Sequence, residues 1–517
     1  MAVAKQISAL RGMRDVFAAE YAHSRGLLEA LEQHLRLHAY AAIDPPLLEN
    51  TELYLRKSGE DIAARLYEFD FKSRRLALRP ELTASVLRAY VEELHGEPLP
   101  LRLRYSGLVF RYEKPQLHRY RQFTLAGAEL LGAPADYADA ELLAMACGGL
   151  ESVGIHNYRL VIGTSALLEN FLSSLGLRKQ LHNFLLRNME NLRKQGMDYV
   201  VDSLRAVLPG FQLTSLDRAE AKEQDSQQLI HVLREMTDAE AHSAISQFLR
   251  SLNIHIDANR AESQVIDRLL HKIREDEQAP KLRTALEFMT RLSEIVGEPD
   301  YALAAAAQLC QEVALDDSPL KQLEITLRRL AESGGLSGEI QLDFGLSRGL
   351  HYYTGMIFEI HGQTRAGEAI QLCGGGRYDN LVSILGGEPT PAAGFAWGIE
   401  RVASASPAPA ASAQERFVCV IPVAEADYAT CQAIAADLRA QQLVAEVSMG
   451  GRSLRRSLKQ ADRRGASLVI IIGEAEREEN SAVLRDMRGG EERRVAIAAL
   501  PAAAADMLRQ QERDHAS

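Results

Sequence analysis

Residues 107–132 hold the pattern that most constrains this chain: two apolar runs joined by a short basic loop. The first run carries Arg111 and Glu113, the loop contains Pro115 and Arg119, and the second run leads to the carboxylate Glu129. Apolar runs joined by a turn predict an antiparallel hairpin. Because a guanidinium keeps its proton and its fork matches phosphate oxygens, arginines on such a hairpin indicate a polyphosphate site. The hairpin alone also fits a solvated basic surface.

The composition is that of a globular protein with more than one domain. The chain has 517 residues, of which 46% are hydrophobic and 25% charged, and this length exceeds one ordinary core. No apolar run is long enough to span a bilayer and no signal-peptide pattern is present, so we expect a cytoplasmic protein with no membrane partner. The five cysteines have no metal-binding spacing. At a net charge of −11, nucleic acid could bind only through a local basic patch.

The pattern of the chain changes at several points and predicts separate domains. One long stretch is poor in glycine and rich in charged helical patterns, whereas the stretches on either side contain strands and glycine turns. A short segment rich in alanine, proline and serine reads as a linker. The predicted division is residues 1–177 and 334–403 for a core in two parts, 178–333 for a helical insertion, 404–415 for the linker and 416–517 for an α/β domain of parallel character.

The hairpin and five other segments resemble, in their order along the chain, the histidyl-tRNA synthetase family of class II aminoacyl-tRNA synthetases. The hairpin resembles class II motif 2. The other segments are Gly12-Met13-Arg14-Asp15, Leu78-Arg79-Pro80-Glu81-Leu82-Thr83, Ser347-Arg348-Gly349-Leu350-His351-Tyr352-Tyr353-Thr354-Gly355, Gly374-Gly375-Gly376-Arg377-Tyr378-Asp379 and Gly394-Phe395-Ala396-Trp397-Gly398-Ile399-Glu400-Arg401. Residues 416–517 resemble the anticodon-binding domain that the histidyl, prolyl, threonyl and glycyl enzymes share.

The resemblance implies an α+β catalytic core, built as an antiparallel sheet flanked by helices, with a helical insertion and a C-terminal α/β domain. It implies a homodimer formed around residues 42–49. The implied reaction activates histidine with ATP to histidyl-adenylate and transfers it to tRNA(His). ATP with Mg²⁺ would be the cofactor, with no metal held by dedicated side chains. In the family the insertion contacts the tRNA acceptor arm, but here a packing or partner-binding role remains open.

The resemblance also assigns roles to individual residues. Fixed cations and Mg²⁺ stabilise the charge that develops on phosphate during activation. A carboxylate and a tyrosine hydroxyl can pair with the two nitrogens of an imidazole. The catalytic assignments are Arg348 and Arg111, and the ATP-binding assignments are Arg111, Glu113, Arg119 and Arg401. The histidine-binding assignments are Glu81, Thr83, Glu129, Tyr353 and Tyr378. The tRNA-binding assignments are Arg452, Arg455 and Arg456, in a basic cluster that would otherwise be a solvated helix face.

Some positions depart from the family pattern and indicate an alternative. Leu82 stands at a usual glycine, Thr124-Leu125 at a usual His-Gln, and His351 at a usual aspartate, while Trp397 alters motif 3. The departures at Leu82 and residues 123–124 also resemble the regulatory subunit of ATP phosphoribosyltransferase, a histidine sensor. Such a protein would have ATP phosphoribosyltransferase as its partner. The C-terminal domain favours the synthetase, because these subunits usually lack it. A paralogue with another acceptor is a third possibility.

Overall fold

The computed structural model describes residues 7–58, 64–113, 119–207, 236–251, 278, 280–346, 352–408, 416–449 and 453–516. The chain divides into two compact units, Met1–Pro407 and Ala408–Ser517. Arg348 and Arg452 lie outside the described residues, as does most of the motif 2 loop, so their assigned roles stay predictions.

The elements of the first unit alternate between helices and strands. Its helices are α1 (Ala18–Leu37), α2 (Thr51–Ser58), α3 (Thr83–Ala89), α4 (Ala135–Ser152), α5 (Ala166–Ser174), α6 (Lys179–Arg187), α7 (Met189–Val207), α8 (Asp238–Ser251), α9 (residues 280–294), α10 (Pro299–Glu312), α11 (Ser318–Glu332), α12 (Leu381–Ile384) and α13 (Ile399–Ala405). A π-helical turn, Tyr90–Leu94, continues α3. Its strands are β1 (Ala41–Ala42), β2 (Leu48–Asn50), β3 (Tyr67–Phe71), β4 (Arg74–Leu78), β5 (Leu101–Phe110), β6 (Gln122–Leu131), β7 (Arg159–Thr164), β8 (Val296–Gly297), β9 (Glu339–Asp343), β10 (Met356–Gln363), β11 (Ala369–Arg377) and β12 (Ala392–Gly398).

The described strands of the first unit form one large and one small sheet. The large sheet has nine strands in the order β1-β5-β6-β12-β11-β10-β7-β9-β8. Neighbours from β5 to β7 in this order pair antiparallel, whereas β1 and β9 join parallel to β5 and β7. The small sheet has the order β2-β4-β3. The predicted α+β core with an antiparallel sheet is therefore confirmed.

The hairpin that the sequence indicated is the β5–β6 pair. Its register runs from Leu101 opposite Leu131 to Phe110 opposite Gln122. Leu103 lies opposite Glu129. Because residues two apart on a strand share a face, Tyr105 lies diagonally across from Glu129 on the same side. The hairpin thus carries its arginine and its carboxylate toward one face of the sheet.

The core of the first unit lies between the sheet and helices that include α1 and α4. Trp397 is fully buried there and donates its Nε1–H to the Ala146 carbonyl at 3.0 Å. Gly149 of α4 leaves room for the indole, since a Cβ on Gly149 would lie 2.3 Å from the ring. Successive strand residues face opposite sides, so Trp397 packs in the core while Gly394 and Ala396 turn to the other face.

The stretch predicted as an insertion is largely helical where the structure describes it, and it also packs on the main core. Within it, β8 pairs with β9 at the edge of the large sheet. Arg329 of α11 pairs with Asp136 of α4 at 3.0 Å, and Leu309 and Leu323 join the same apolar cluster as the sheet. The limits of the insertion, residues 178–333, stay a prediction. The later part of this range already packs against the large sheet and its helices, before residue 333 is reached.

The second unit is a five-stranded mixed sheet with helices. Its elements are β13 (Phe417–Pro422), α14 (Tyr428–Ala440), β14 (Val444–Val447), α15 (Leu454–Arg463), β15 (Leu468–Ile472), α16 (Glu474–Glu478), β16 (Ser481–Asp486), β17 (Glu492–Ala496) and α17 (Leu500–Ala516). The order is β14-β13-β15-β16-β17, in which β14, β13 and β15 are parallel and the last two pairings antiparallel. The parallel character that the sequence predicted for this domain therefore holds for β14, β13 and β15, whereas β16 and β17 form an antiparallel hairpin around Gly489-Gly490. Gly490 has φ +72°, which glycine tolerates.

Two further properties follow from the described residues. None of their helices has the length and apolar character needed to cross a membrane. The five cysteines, all among the described residues, are buried and form no disulfide bond.

Candidate active site

A cavity of about 670 Å³ opens on the face of the large sheet that α1 and α4 leave uncovered. A neighbouring cavity of about 170 Å³ shares part of its wall, including Arg111, Glu113 and Arg119. Of the assigned residues, the larger cavity is lined by Glu81, Thr83, Arg111, Glu113, Arg119, Tyr353 and Tyr378, and the smaller one also by Arg401. The structure therefore brings these residues together, and Glu129 lies directly behind Gly394 of the same cavity wall. Arg348 lies outside the described residues.

Glu129 lies behind Gly394 and Tyr378, two residues that line the larger cavity. Its carboxylate is fully buried and accepts a hydrogen bond from the Tyr105 hydroxyl at 3.0 Å. Its second oxygen, Oε2, and the buried Tyr378 hydroxyl have no hydrogen-bond partner among the described residues. A Cβ on Gly394 would lie 1.8 Å from Glu129 Oε2 and 2.4 Å from that hydroxyl. Only glycine fits there, and the two unpartnered oxygens converge on one point beside the cavity.

The electrostatic environment of Glu129 is unusual for a carboxylate. Burial raises the pKa of Glu129 from its ordinary 4.5 to about 8. The nearby Thr83 side chain, the charge of Lys57 and the Tyr105 hydroxyl oppose this rise without cancelling it. A buried acid with an unused oxygen is a group that a ligand with N–H donors would satisfy.

Glu81 and Lys57 form an ion pair in the cavity wall. Lys57 Nζ lies 2.8 Å from Glu81 Oε2 and 4.3 Å from the centroid of the Tyr352 ring. The Glu81 carboxylate also accepts the Ala84 N–H at 3.1 Å, which fixes it at the start of α3. The Tyr352 hydroxyl donates to the Tyr353 hydroxyl at 3.3 Å. A strongly polar patch therefore lies beside the aromatic wall.

Three arginines converge where the two cavities meet. Arg111 donates its Nε–H to the Pro80 carbonyl at 2.7 Å, Arg119 pairs with Glu113, and Arg401 donates to the Gln371 carbonyl at 3.2 Å. Burial, together with the charges of Arg119 and Arg111, lowers the pKa of Arg401. Guanidinium groups close enough to perturb one another favour an anion between them.

The described residues contain no group of three or more histidine, cysteine, aspartate or glutamate side chains that could hold a metal ion. Glu113 and Glu359 line the larger cavity as separate carboxylates. This donor set fits a Mg²⁺ ion that enters already bound to phosphate oxygens, since Mg²⁺ commonly keeps only one or two protein carboxylates.

The basic cluster assigned to tRNA lies in the second unit. Arg455 and Arg456 lie in the first turn of α15 and are exposed, as are Lys459 and Arg463 further along the helix. Ser457 and Ala461 are its buried residues. The helix therefore buries small side chains and exposes one basic face. This arrangement is equally consistent with binding a polyanion and with an ordinary solvated surface.

Sequence reasoning missed several residues of the cavity. Tyr105 could have been found from the hairpin register, because it shares a face with Glu129. No local sequence pattern indicated that Lys57 and Tyr352 line the cavity, although Tyr352 belongs to the motif at residues 347–355. Arg193 and Lys194 of α7 also line the cavity, and Arg193 donates to Asp343 at 2.6 Å. Only the tertiary fold brings these cations to the site.

An antiparallel sheet bearing an arginine-lined cavity, with motif 2 as a hairpin beneath it, defines a class II aminoacyl-tRNA synthetase. The histidyl-tRNA synthetase family model matches residues 12–265 and 219–402, and an anticodon-binding domain model matches residues 417–506. The chain belongs to the histidyl-tRNA synthetase family.

Individual relatives agree with this family along the whole chain. The chain is 29% identical over 498 residues to the histidine–tRNA ligase of Pyrococcus horikoshii, covering 95% of this chain and 97% of the relative. It is 31% identical over 490 residues to that of Methanocaldococcus jannaschii, covering 94% and 97%. The apo histidyl-tRNA synthetase structure from S. aureus superposes with a TM-score of 0.61 at 25% identity, covering 96% of this chain and 99% of that one. A Bacillus halodurans structure described as an ATP phosphoribosyltransferase regulatory subunit/histidyl-tRNA synthetase has the same TM-score of 0.61 at 19% identity, covering 91% and 99%, and shares the fold alone.

Proposed function

We propose that this chain is a histidine–tRNA ligase that activates histidine with ATP and transfers it to tRNA(His). The observation that carries the proposal is the pair of unpartnered buried oxygens on Glu129 and Tyr378. They converge at Gly394, in the wall of a cavity that three arginines also approach. An imidazole offers two nitrogens to the first group, and a triphosphate offers charge to the second. Histidine supplies the imidazole and ATP supplies the triphosphate, so these two reactants together match the two parts of the cavity.

The residues of the cavity would divide the first half-reaction among them. Glu129 and Tyr378 bind the imidazole, and Glu81 with Thr83 holds the α-ammonium group. The substrate carboxylate attacks the α-phosphate of ATP, and pyrophosphate leaves. Arg111 and Arg401, with Arg348, stabilise the charge that develops on the phosphate oxygens. Mg²⁺ bound to ATP would neutralise further phosphate charge.

Histidine-dependent exchange of pyrophosphate into ATP tests the activation step. Arg111→Ala and Arg401→Ala should each lower exchange about a hundredfold to a thousandfold, because each removes a fixed cation from the developing charge. Arg159→Ala is the matched control, since Arg159 is an exposed arginine of β7 paired with Glu339. No exchange in the parent protein, or equal loss in the control, would contradict the proposal.

Transfer to tRNA(His) is tested separately from activation. We expect charging to fall when Arg455 and Arg456 both become alanine, while pyrophosphate exchange survives, because α15 belongs to a different compact unit from the cavity. Arg509→Ala, which removes an exposed arginine of α17, is the control. Loss of exchange in the double variant would refute this division of labour.

The alternative function rests on the departures from the family pattern at Leu82 and residues 123–125, of which Leu82 and Leu125 line the cavity with apolar side chains. If exchange is absent but the protein binds an ATP phosphoribosyltransferase and alters its response to histidine, the regulatory role is correct. Exchange without tRNA charging would favour another acceptor. The arginine cluster favours the ligase, because sensing histidine alone does not need it.

A homodimer around residues 42–49 in the cytoplasm completes the proposal. Leu47 and Leu48 are 45% and 42% exposed, and β2 lies at the edge of the small sheet, so an apolar edge is available for a second copy. Sedimentation at micromolar concentration tests this. Monomer throughout would contradict it, whereas a dimer that Leu48→Asp dissociates would support it.

A further inference from the structure

Lys57 is a buried cation in the wall of the ligand cavity that the assigned roles leave unused. It lies at the end of α2, only 6% exposed, and lines the cavity together with Glu81, Thr83 and Tyr352. A lysine is rarely buried unless it is paired. Its ammonium has three N–H donors, and the single Glu81 oxygen at 2.8 Å engages one of them.

The pair formed by Lys57 and Glu81 has the charge pattern opposite to that of a free amino acid. An α-amino acid carries its ammonium and carboxylate groups on the same carbon, so its binding site needs an anion and a cation side by side. Glu81 and Lys57 supply these at 2.8 Å in the same wall. Leu125, which also lines the cavity, has no hydrogen bond to offer a carboxylate.

The position of the pair suits the reaction. Glu81 follows Pro80, whose carbonyl accepts the Nε–H of Arg111 at 2.7 Å. The segment that holds Glu81 therefore contacts the arginine cluster directly, and both line the cavity in which the carboxylate would attack the α-phosphate. The face of the Tyr352 ring, 4.3 Å from the ammonium, restricts where Lys57 can move.

We propose that Lys57 binds the α-carboxylate of the substrate histidine and, with Glu81, orients the two charged groups of the amino acid for attack on ATP. This inference rests on the proposed function and adds a substrate-binding residue to it. The ion pair with Glu81 is the arrangement that the structure describes. On binding, the substrate ammonium shares Glu81, and Lys57 turns one donor to the carboxylate.

Calorimetry with histidine and with histidinol, in which a CH₂OH group replaces the carboxylate, tests Lys57 directly. In Lys57→Gln, histidine should bind about tenfold to a hundredfold more weakly, the loss expected for a hydrogen bond between charged groups. Histidinol should change by less than about threefold on the same scale. Lys57→Arg keeps a cation and should recover part of the preference for histidine. Lys321→Gln, which removes an exposed lysine paired with Asp317, should change neither ligand.

Each other outcome has a definite meaning. If Lys57→Gln weakens histidine and histidinol equally, Lys57 only holds Glu81 in place and the proposed contact is wrong. If the glutamine variant fails to fold, Lys57→Arg decides, since an unchanged ratio of the two affinities would overturn the contact. If the parent protein binds neither ligand, the proposed function itself fails. Retained exchange activity with an unchanged Michaelis constant for histidine in Lys57→Gln would also refute the inference.

Discussion

Replacing Glu129 by glutamine separates the binding role of the carboxylate from its cost to stability. Burial raises the pKa of this residue from 4.5 to about 8. The folded protein therefore holds the proton of Glu129 more tightly than the unfolded chain does. The stability that this proton contributes is fully present below pH 4.5 and is lost as the pH rises to about 8. Glutamine does not titrate, so the Glu129→Gln variant escapes this loss.

The size of the effect follows from the difference in pKa. One pKa unit corresponds to about 1.4 kcal/mol. The rise from 4.5 to about 8 therefore costs the parent protein at most roughly 5 kcal/mol relative to the variant. Of this, about 3 kcal/mol accumulates between roughly pH 6 and pH 9. Because all other titrating groups are shared, the comparison of variant with parent isolates Glu129.

Urea unfolding of both proteins without histidine, at pH 6 and at pH 9, measures this difference. The Glu129→Gln variant should gain stability relative to the parent as the pH rises, yet bind histidine about tenfold to a hundredfold more weakly by calorimetry. The control Glu339→Gln alters an exposed carboxylate and should do neither. If the stability difference between variant and parent does not change with pH, Glu129 ionises without a cost to folding. If the histidine affinity is unchanged, Glu129 does not bind histidine.

Other predictions concern the packing around the cavity. Gly394→Ala should abolish measurable histidine binding, because its Cβ would lie 1.8 Å from the buried carboxylate oxygen, whereas Gly96→Ala, which has nothing within 4 Å, should not. Asp139→Asn should destabilise the protein by about 3 kcal/mol in urea unfolding, because it removes the buried one of the two carboxylates that pair with the buried Arg377 and leaves only Asp379. Glu339→Gln should cost less than about 1 kcal/mol. Trp397→Phe should cost about 1–3 kcal/mol in the same assay, through a lost hydrogen bond and a cavity, and should leave the histidine affinity nearly unchanged.

The sequence predicted best those features that depend on neighbouring residues. The β5–β6 hairpin was readable because apolar alternation and a turn fix both its strands and its register, and with them the positions of Arg111 and Glu129. The sequence also indicates that glycine is needed somewhere in motif 3, but not at which of its positions. The structure shows that Gly394 is the constrained position, whereas a Cβ on Gly398 would meet only ordinary contacts at 3.6 Å or more.

Features set by distant packing could not be predicted in the same way. Lys57 meets Glu81 only because α2 packs near the start of α3, and no local pattern encodes that contact. Trp397 looked like a change at the ligand site because it stands inside motif 3. The alternation of β12 turns it into the core, against Gly149. A motif thus identifies which strand forms the site, but the register and the opposite layer decide which of its side chains face the ligand.

The cavity combines two unfavourable electrostatic arrangements with one neutral pair. Glu129 is an acid held in a fully buried position, and Arg111, Arg119 and Arg401 are cations close enough to disturb one another. The imidazole of histidine would relieve the first arrangement and the phosphates of ATP the second, so binding removes a cost that is already present in the folded protein. The pair of Lys57 and Glu81 lines the same cavity, and its two charges balance each other. A zwitterionic backbone is the group that can enter such a pair without leaving a net charge, which is why we place the reacting end of histidine there.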